Sequence, residues 1–293
     1  MSFDNAYDAI TSDNDENHWA FGTGFDDPLV GISRAVPGVS EEDLSTYCLM
    51  LADDALILSQ RLTEWCSRAP ELEEDVALAN IALDLLGQAR LLLTRAGEVE
   101  GRGRDEDTLA YLRDEHEFRN VHLAEIDCGP GPGGDFATTI ARLLVFSTWR
   151  LAVFSRLTSS SDPVLAAIAE KGVKELAYHR DHAAQWTLRL AGGTEYSRSR
   201  MIAGLERVWP LVAELFTPHE VERRLAGVAV DPASARSEVD EVLTQVLKAS
   251  ALERPSVAPV EGRTGRDGVH TEAMGDLLAE MQHLARSLPG ATW

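Results

Sequence analysis

Apolar residues recur at helical spacing along four long stretches of this chain, and no stretch shows the two-residue alternation of a half-buried strand. Ser40-Glu41-Glu42-Asp43 is a helix start, with a capping hydroxyl and acids for the first turn. From there Leu44, Leu51, Ala55, Leu58, Leu62 and Trp65 predict one helix as far as Ala69-Pro70. Pro70 and the acids Glu71, Glu73, Glu74 and Asp75 open a second helix, running to about Gly97. Its centre, Val76 to Leu86, is apolar on nearly every side, which predicts burial. A charged Gly-rich loop and a shorter helix around Thr108 to Arg119 precede the breaker run Cys128-Gly129-Pro130-Gly131-Pro132-Gly133-Gly134.

The third long helix begins near Asp135 and carries Phe136, Ile140, Leu143, Leu144, Leu151 and Phe154. Asp162-Pro163 caps and starts a fourth, which ends at the glycine stop Ala191-Gly192-Gly193. A fifth, Glu195 to Phe216, should bend at Pro210, and weaker helices follow near His219 to Ala226 and Pro232 to Leu247. Pro255 to Gly268 reads as loop and Thr271 to Ser287 as a last amphipathic helix. Two long-helix pairs joined by one crossover imply an all-α fold, a ferritin-like four-helix bundle at about residues 40–191 with additional C-terminal helices at about 194–293. Residues 1–38 are polar, acidic and Gly-rich and read as a flexible N-terminal arm to a single helical domain, 39–293.

A net charge of −21 offers no basic footprint for nucleic acid. The acidic start Met1-Ser2-Phe3-Asp4-Asn5 has no secretory pattern, and no apolar run reaches the ~20 uncharged residues of a membrane span. The expectation is a cytoplasmic protein without membrane contact. Cys48, Cys66 and Cys128 are odd in number and show no CxxC spacing, so buried small hydrophobes are expected rather than a redox or metal set.

A ferritin-like bundle builds a di-iron site from one Glu on each of two helices and Glu-x-x-His on each of the other two. Positions i and i+3 share a face, so carboxylate and imidazole reach neighbouring metals from one turn. Here Asp54 falls on the apolar face of the first helix, between Leu51 and Leu58, and Asp84 occupies the equivalent place in the second. Three residues after Asp84 stands Gly87, which has nothing to bind with. The third helix has no acid between Asp135 and Asp162. On the fourth, Glu175 is followed at i+3 by Tyr178, with His179 displaced by one. Asp54, Asp84, Glu175 and the displaced His179 are three carboxylates and one imidazole where a complete site needs six ligands, so a di-iron site is not expected. Arg61, Lys171, Lys174 and Tyr178 are candidates to pair with the buried acids, and His179 and His182, facing with Trp186, read as hydrogen-bonded core or interface histidines.

No phosphate loop between strand and helix, nucleophile elbow or Cys–His pair is present. Gly101-Arg102-Gly103-Arg104 and Gly262-Arg263-Thr264-Gly265-Arg266 could touch phosphate but read first as solvated turns. Trp65, Trp149, Trp186 and Trp209 fall on predicted helices and suit packing.

Several segments together resemble one family. They are Leu51-Ala52-Asp53-Asp54-Ala55-Leu56-Ile57-Leu58, the stretch from Leu72 to Arg90, and Glu115-His116-Glu117-Phe118-Arg119-Asn120. Ser161-Asp162-Pro163, Lys174-Glu175-Leu176-Ala177-Tyr178-His179, Gly268-Val269-His270-Thr271-Glu272 and Leu277-Leu278-Ala279-Glu280-Met281-Gln282 continue the series. In this order they resemble the C-subunit family of the phenylacetyl-CoA 1,2-epoxidase complex, over about residues 38–293. The resemblance implies a non-catalytic structural subunit of a bacterial ring-epoxidising monooxygenase of aerobic phenylacetate degradation. It further implies a catalytic A subunit as partner, carrying the di-iron centre and binding the CoA ester, and a reductase with flavin and iron–sulfur groups. For this chain it implies no cofactor and no catalytic residue, with Asp54, Asp84, Glu175 and His179 as vestigial ligand positions. Competing readings are a di-iron oxygenase or oxidase in its own right, a helical module capturing CoA through its Arg-rich loops, and a free-standing scaffold.

Overall fold

The structure, a computed structural model, describes residues 38–131, 134–289 and 291. The predicted arm falls almost wholly outside them. Helix α1 (Glu41–Thr63) starts as expected, Ser40 Oγ accepting from Asp43 N at 3.3 Å. It ends before Ala69, because Ser67 turns into the left-handed region at φ 63° and the chain swings Trp65 into the core. Trp65 Nε1 donates to Thr139 Oγ1 at 3.0 Å, and Asp75 accepts from the Ser67 N–H at 2.8 Å. Helix α2 (Leu72–Glu100) therefore begins after Pro70, with Glu71 at its N-cap.

Gly97 does not stop α2. It lets the Arg104 carbonyl approach to where a Cβ would sit, and the stop is Gly101 at φ 65°. The helices α1 and α2 run antiparallel: Ser45 Oγ donates to Ala96 O at 3.1 Å and Ser59 Oγ to Ala82 O at 2.8 Å.

The crossover holds two short helices, α3 (Glu106–Tyr111) and α4 (His122–Glu125), with a 3-10 turn between at Glu115–Glu117. The continuous helix predicted to Arg119 breaks because Arg113 turns inward to Asp53, Nη1 donating to Oδ2 at 3.0 Å. Helices α5 (Phe136–Leu157) and α6 (Pro163–Gly192) form the second pair, with Asp162 Oδ1 capping α6 through Val164 N at 2.8 Å. Phe154 of α5 lies on Gly172 of α6, where a Cβ would meet its ring at 2.7 Å.

Against α5 packs α7 (Glu195–Val208), so closely that a Cβ on Gly204 would stand 2.9 Å from Thr138 Cα. The predicted fifth helix ends at Val208 and continues as 3-10 turns, Trp209–Leu211 and Glu214–Phe216, since Pro210 has no N–H to extend an α-helical ladder. The remaining helices are α8 (Glu220–Arg224), α9 (Arg236–Ala249), α10 (Glu272–Met281) and α11 (His283–Ser287). Among the described residues there is no strand, only an isolated bridge between Ala226 and Ala229. The chain is all-α, as expected for the ferritin-like bundle.

Three expectations of burial or placement need correction. Cys48 and Cys128 are buried, but Cys66 is exposed in the turn after α1. Trp65 and Trp209 pack from turns rather than α-helices. By length and composition α2 and α5 could each cross a membrane; α5 is almost wholly enclosed by the bundle, whereas more than half of α2's most apolar stretch is not buried. Val76, Leu83 and Leu86 of α2 are exposed, against the burial predicted for this stretch, because α1 and α6 cover only one side of the helix.

Candidate functional site

Each helix of the bundle contributes one polar side chain to a chain of contacts through its interior: Asp54 from α1, Gln88 from α2, Arg150 from α5 and Glu175 from α6. Arg150, fully buried, donates from Nη1 to Leu51 O at 3.1 Å and from Nε to Gln88 Oε1 at 3.1 Å. Its Nη1 stands 4.0 Å from Asp54 Oδ2, and the guanidinium lies 4.3 Å from the centroid of the Phe154 ring. Gln88 Nε2 donates onward to Glu175 Oε2 at 2.9 Å. Lys171 Nζ, one helical turn away, is 3.7 Å from Glu175 Oε1.

Asp54 is closed from its other side by Arg266, whose Nη1 and Nη2 donate to Oδ1 and Oδ2 at 3.0 and 2.7 Å. Val121 N adds a third donor at 2.9 Å. The Arg266 guanidinium also donates to Met50 O at 2.8 Å and Arg119 O at 2.6 Å. Residues 262–266, which read as a solvated turn, are in part a plug: Arg266 is buried and cannot present itself to a phosphate. Burial pushes the Asp54 carboxyl up, opposed by Arg266 and Arg150, and pushes the Arg150 guanidinium down to about 10, so Arg150 stays a cation at neutral pH. Two guanidiniums thus flank Asp54, while Lys171 lies beside Glu175 at the other end of the chain of contacts.

Asp84 and His179 pair with each other rather than with Asp54. His179 Nε2 is 3.0 Å from Asp84 Oδ2, an acid with 38% of its side chain exposed, and His182 Nε2 is 3.1 Å from Glu74 Oε2. Burial holds the His182 imidazole below its ordinary range. Of the pairing candidates, Lys171 does approach Glu175. Arg61 instead donates to Glu64 Oε1 and Glu125 O, and Tyr178 is exposed beside His182. This donor set does not fit two irons. Asp54 is held by Arg266 with Arg150 4.0 Å away, the third helix supplies a guanidinium and no acid, and Gly87 and Tyr178 supply no imidazole. Among the described residues no group of three or more His, Cys, Asp or Glu side chains is arranged for a metal ion.

Sequence reasoning missed Arg150, Arg266 and Gln88. The signal for Arg150 was available: Arg142 and Arg150 interrupt an otherwise apolar helix that the bundle must enclose, so both guanidiniums had to be buried. Nothing local marked Arg266.

A second buried knot ties the C-terminal segment to the crossover. Glu125 Oε2 lies 2.7 Å from His270 Nδ1 and accepts from Asn120 Nδ2 at 2.8 Å, while Oε1 accepts from Thr271 N at 2.6 Å. His270 Nε2 faces Phe118 O at 3.2 Å, so both ring nitrogens meet acceptors and the imidazolium fits. Burial works against both charges, but the pairing prevails: Glu125 lies below its ordinary 4.5 and His270 above its ordinary 6.5. The histidine's contribution is complete below about pH 6.5 and is lost as pH rises through its raised folded value. The glutamate's is complete above about pH 4.5 and is lost as pH falls through its lowered one. Urea unfolding of wild type and His270→Gln should therefore differ more at pH 5.5 than at pH 9. An equal difference at both would rule out the charged pair.

Comparison with known proteins gives the family of the chain. Residues 32–293 match the family model described as Phenylacetic acid catabolic protein. Over 253 residues, 85% of this chain and 99% of the relative, the sequence is 46% identical to the C subunit of the 1,2-phenylacetyl-CoA epoxidase of Escherichia coli (strain K12). A likeness that runs the length of the relative and takes in the whole bundle and its C-terminal plug is that of a family member, and this chain belongs to the phenylacetic acid catabolic protein family.

Proposed function

We propose that this chain is the non-catalytic, structural subunit of a phenylacetyl-CoA 1,2-epoxidase, which binds and supports a di-iron catalytic subunit. The observation that carries the reading is Arg150: a buried guanidinium between Asp54 and Gln88 is what the third helix, which has no acid, brings to the bundle interior. The iron belongs to the catalytic A subunit in this reading, and flavin and iron–sulfur groups to a separate reductase. This chain's own residues give the partner a face backed by a centre that Arg266 and Arg150 tie together around Asp54. In this reading the complex is cytoplasmic and free of membrane and nucleic acid, the last supported by the net charge of −21.

Co-expression with the catalytic subunit, size-exclusion chromatography and metal analysis test the proposal together. The expected result is one co-eluting complex, with iron in the partner and fewer than about 0.1 irons per chain in this protein purified alone, against the two of a complete bundle site. Separate elution, or two irons bound by this chain alone, would overturn it. Capture of CoA by the Arg-rich loops is not favoured: Arg266 is buried on Asp54, and Arg104 is held by Glu100.

A further inference from the structure

Helix α2 carries large apolar side chains on its uncovered face: Leu72, Val76, Leu83 and Leu86 are 75, 54, 63 and 41% exposed. With Ala79 they fall at positions 72, 76, 79, 83 and 86, alternating steps of four and three. That is the 3.5-residue period by which one helix packs along another, sustained over about 21 Å. Tyr178 of α6 is likewise exposed, on the helix that packs beside α2.

Gly87 adds an independent observation. A glycine inside a helix costs about 1 kcal/mol relative to alanine, and a Cβ at this one would meet nothing within 4 Å. Nothing in the chain's own packing requires it, but a closely approaching second backbone would.

The charges around this seam indicate what covers it. Glu71 and Glu73 are exposed at its start, and Arg90, at the next seam position after Leu86, is the cation at its far end. Arg90 Nε is already 3.2 Å from Glu106 Oε1. A second copy laid antiparallel would offer Glu71 and Glu73 a single arginine that already pairs with Glu106, while joining two chains of −21 each, a net repulsion. The same acids would repel an anionic membrane surface.

We infer that the exposed face of α2 is where the catalytic subunit docks. It does so through a helix of its own whose apolar residues repeat every 3.5 positions and whose basic residues meet Glu71 and Glu73. This rests on the function proposed above and names the face that serves it.

Binding of the full-length chain to the purified catalytic subunit, measured by sedimentation velocity, tests the inference. Leu83→Glu should weaken association at least about thirty-fold, the loss of a central contact, while helicity and melting stay those of wild type. Leu72→Glu serves as a second variant, and Tyr196→Glu, at an exposed position on α7, should bind normally. Gly87→Ala should raise the melting temperature of the isolated chain by about 2 °C and yet weaken binding. Failure of wild type to bind the subunit would sink the proposed function together with this inference. Binding of wild type with Leu83→Glu unimpaired would sink the inference alone. Self-association, or flotation with phosphatidylglycerol vesicles, that is abolished by Leu83→Glu would assign the face to a second copy or a membrane instead, and overturn it.

Discussion

Arg266→Ala is expected to destabilise the chain by about 3–5 kcal/mol, the cost of stranding one partner of a buried ion pair. Asp54 would keep the Val121 N–H and the Arg150 guanidinium 4.0 Å away, losing two direct charged hydrogen bonds. The carbonyls of Met50 and Arg119 would lose a donor at the same time. Urea unfolding at pH 7 measures this. The double variant Arg266→Ala with Asp54→Asn should be more stable than the sum of the two single losses predicts, because the stranded charge is then gone. A melting curve of Arg266→Ala like that of wild type would mean that Asp54 is satisfied without the plug.

Gly265→Ala should also cost about 3 kcal/mol or more. A Cβ there would stand 1.9 Å from Asn120 O and 3.1 Å from its carbonyl carbon, both main-chain atoms that cannot rotate away. Gly265 N also donates to Glu214 Oε1 at 3.1 Å, and the next residue is the plugging arginine, so moving this turn moves Arg266 off Asp54. Equilibrium unfolding against Gly87→Ala, whose Cβ has open space, separates close approach from any general effect of replacing glycine. Equal stability of the two variants would remove the argument.

The helical architecture was readable because it depends on near neighbours. Ser40, Asp162 and the spaced leucines of α1 and α5 act within a turn or two of themselves, and all four long helices formed where they were expected. Boundaries were less legible. The early end of α1 and the break after Tyr111 follow from Trp65 and Arg113 turning inward to distant partners, Thr139 and Asp53. The apolar centre of α2 was misread for a related reason: periodicity shows that a face is apolar, not whether the same chain covers it.

Sequence alone determined the four-helix frame and the shortage of metal ligands, since a missing side chain at Gly87 or an acid-free third helix is a fact of composition that no packing can change. Only the tertiary structure decided what surrounds Asp54 at the bundle centre. Arg150 and Arg266 are 116 residues apart in the chain and meet at Asp54, a juxtaposition that long-range closure creates and that no local pattern encodes. The tertiary structure also left the seam of α2 open, because burial is a property of what lies opposite a residue.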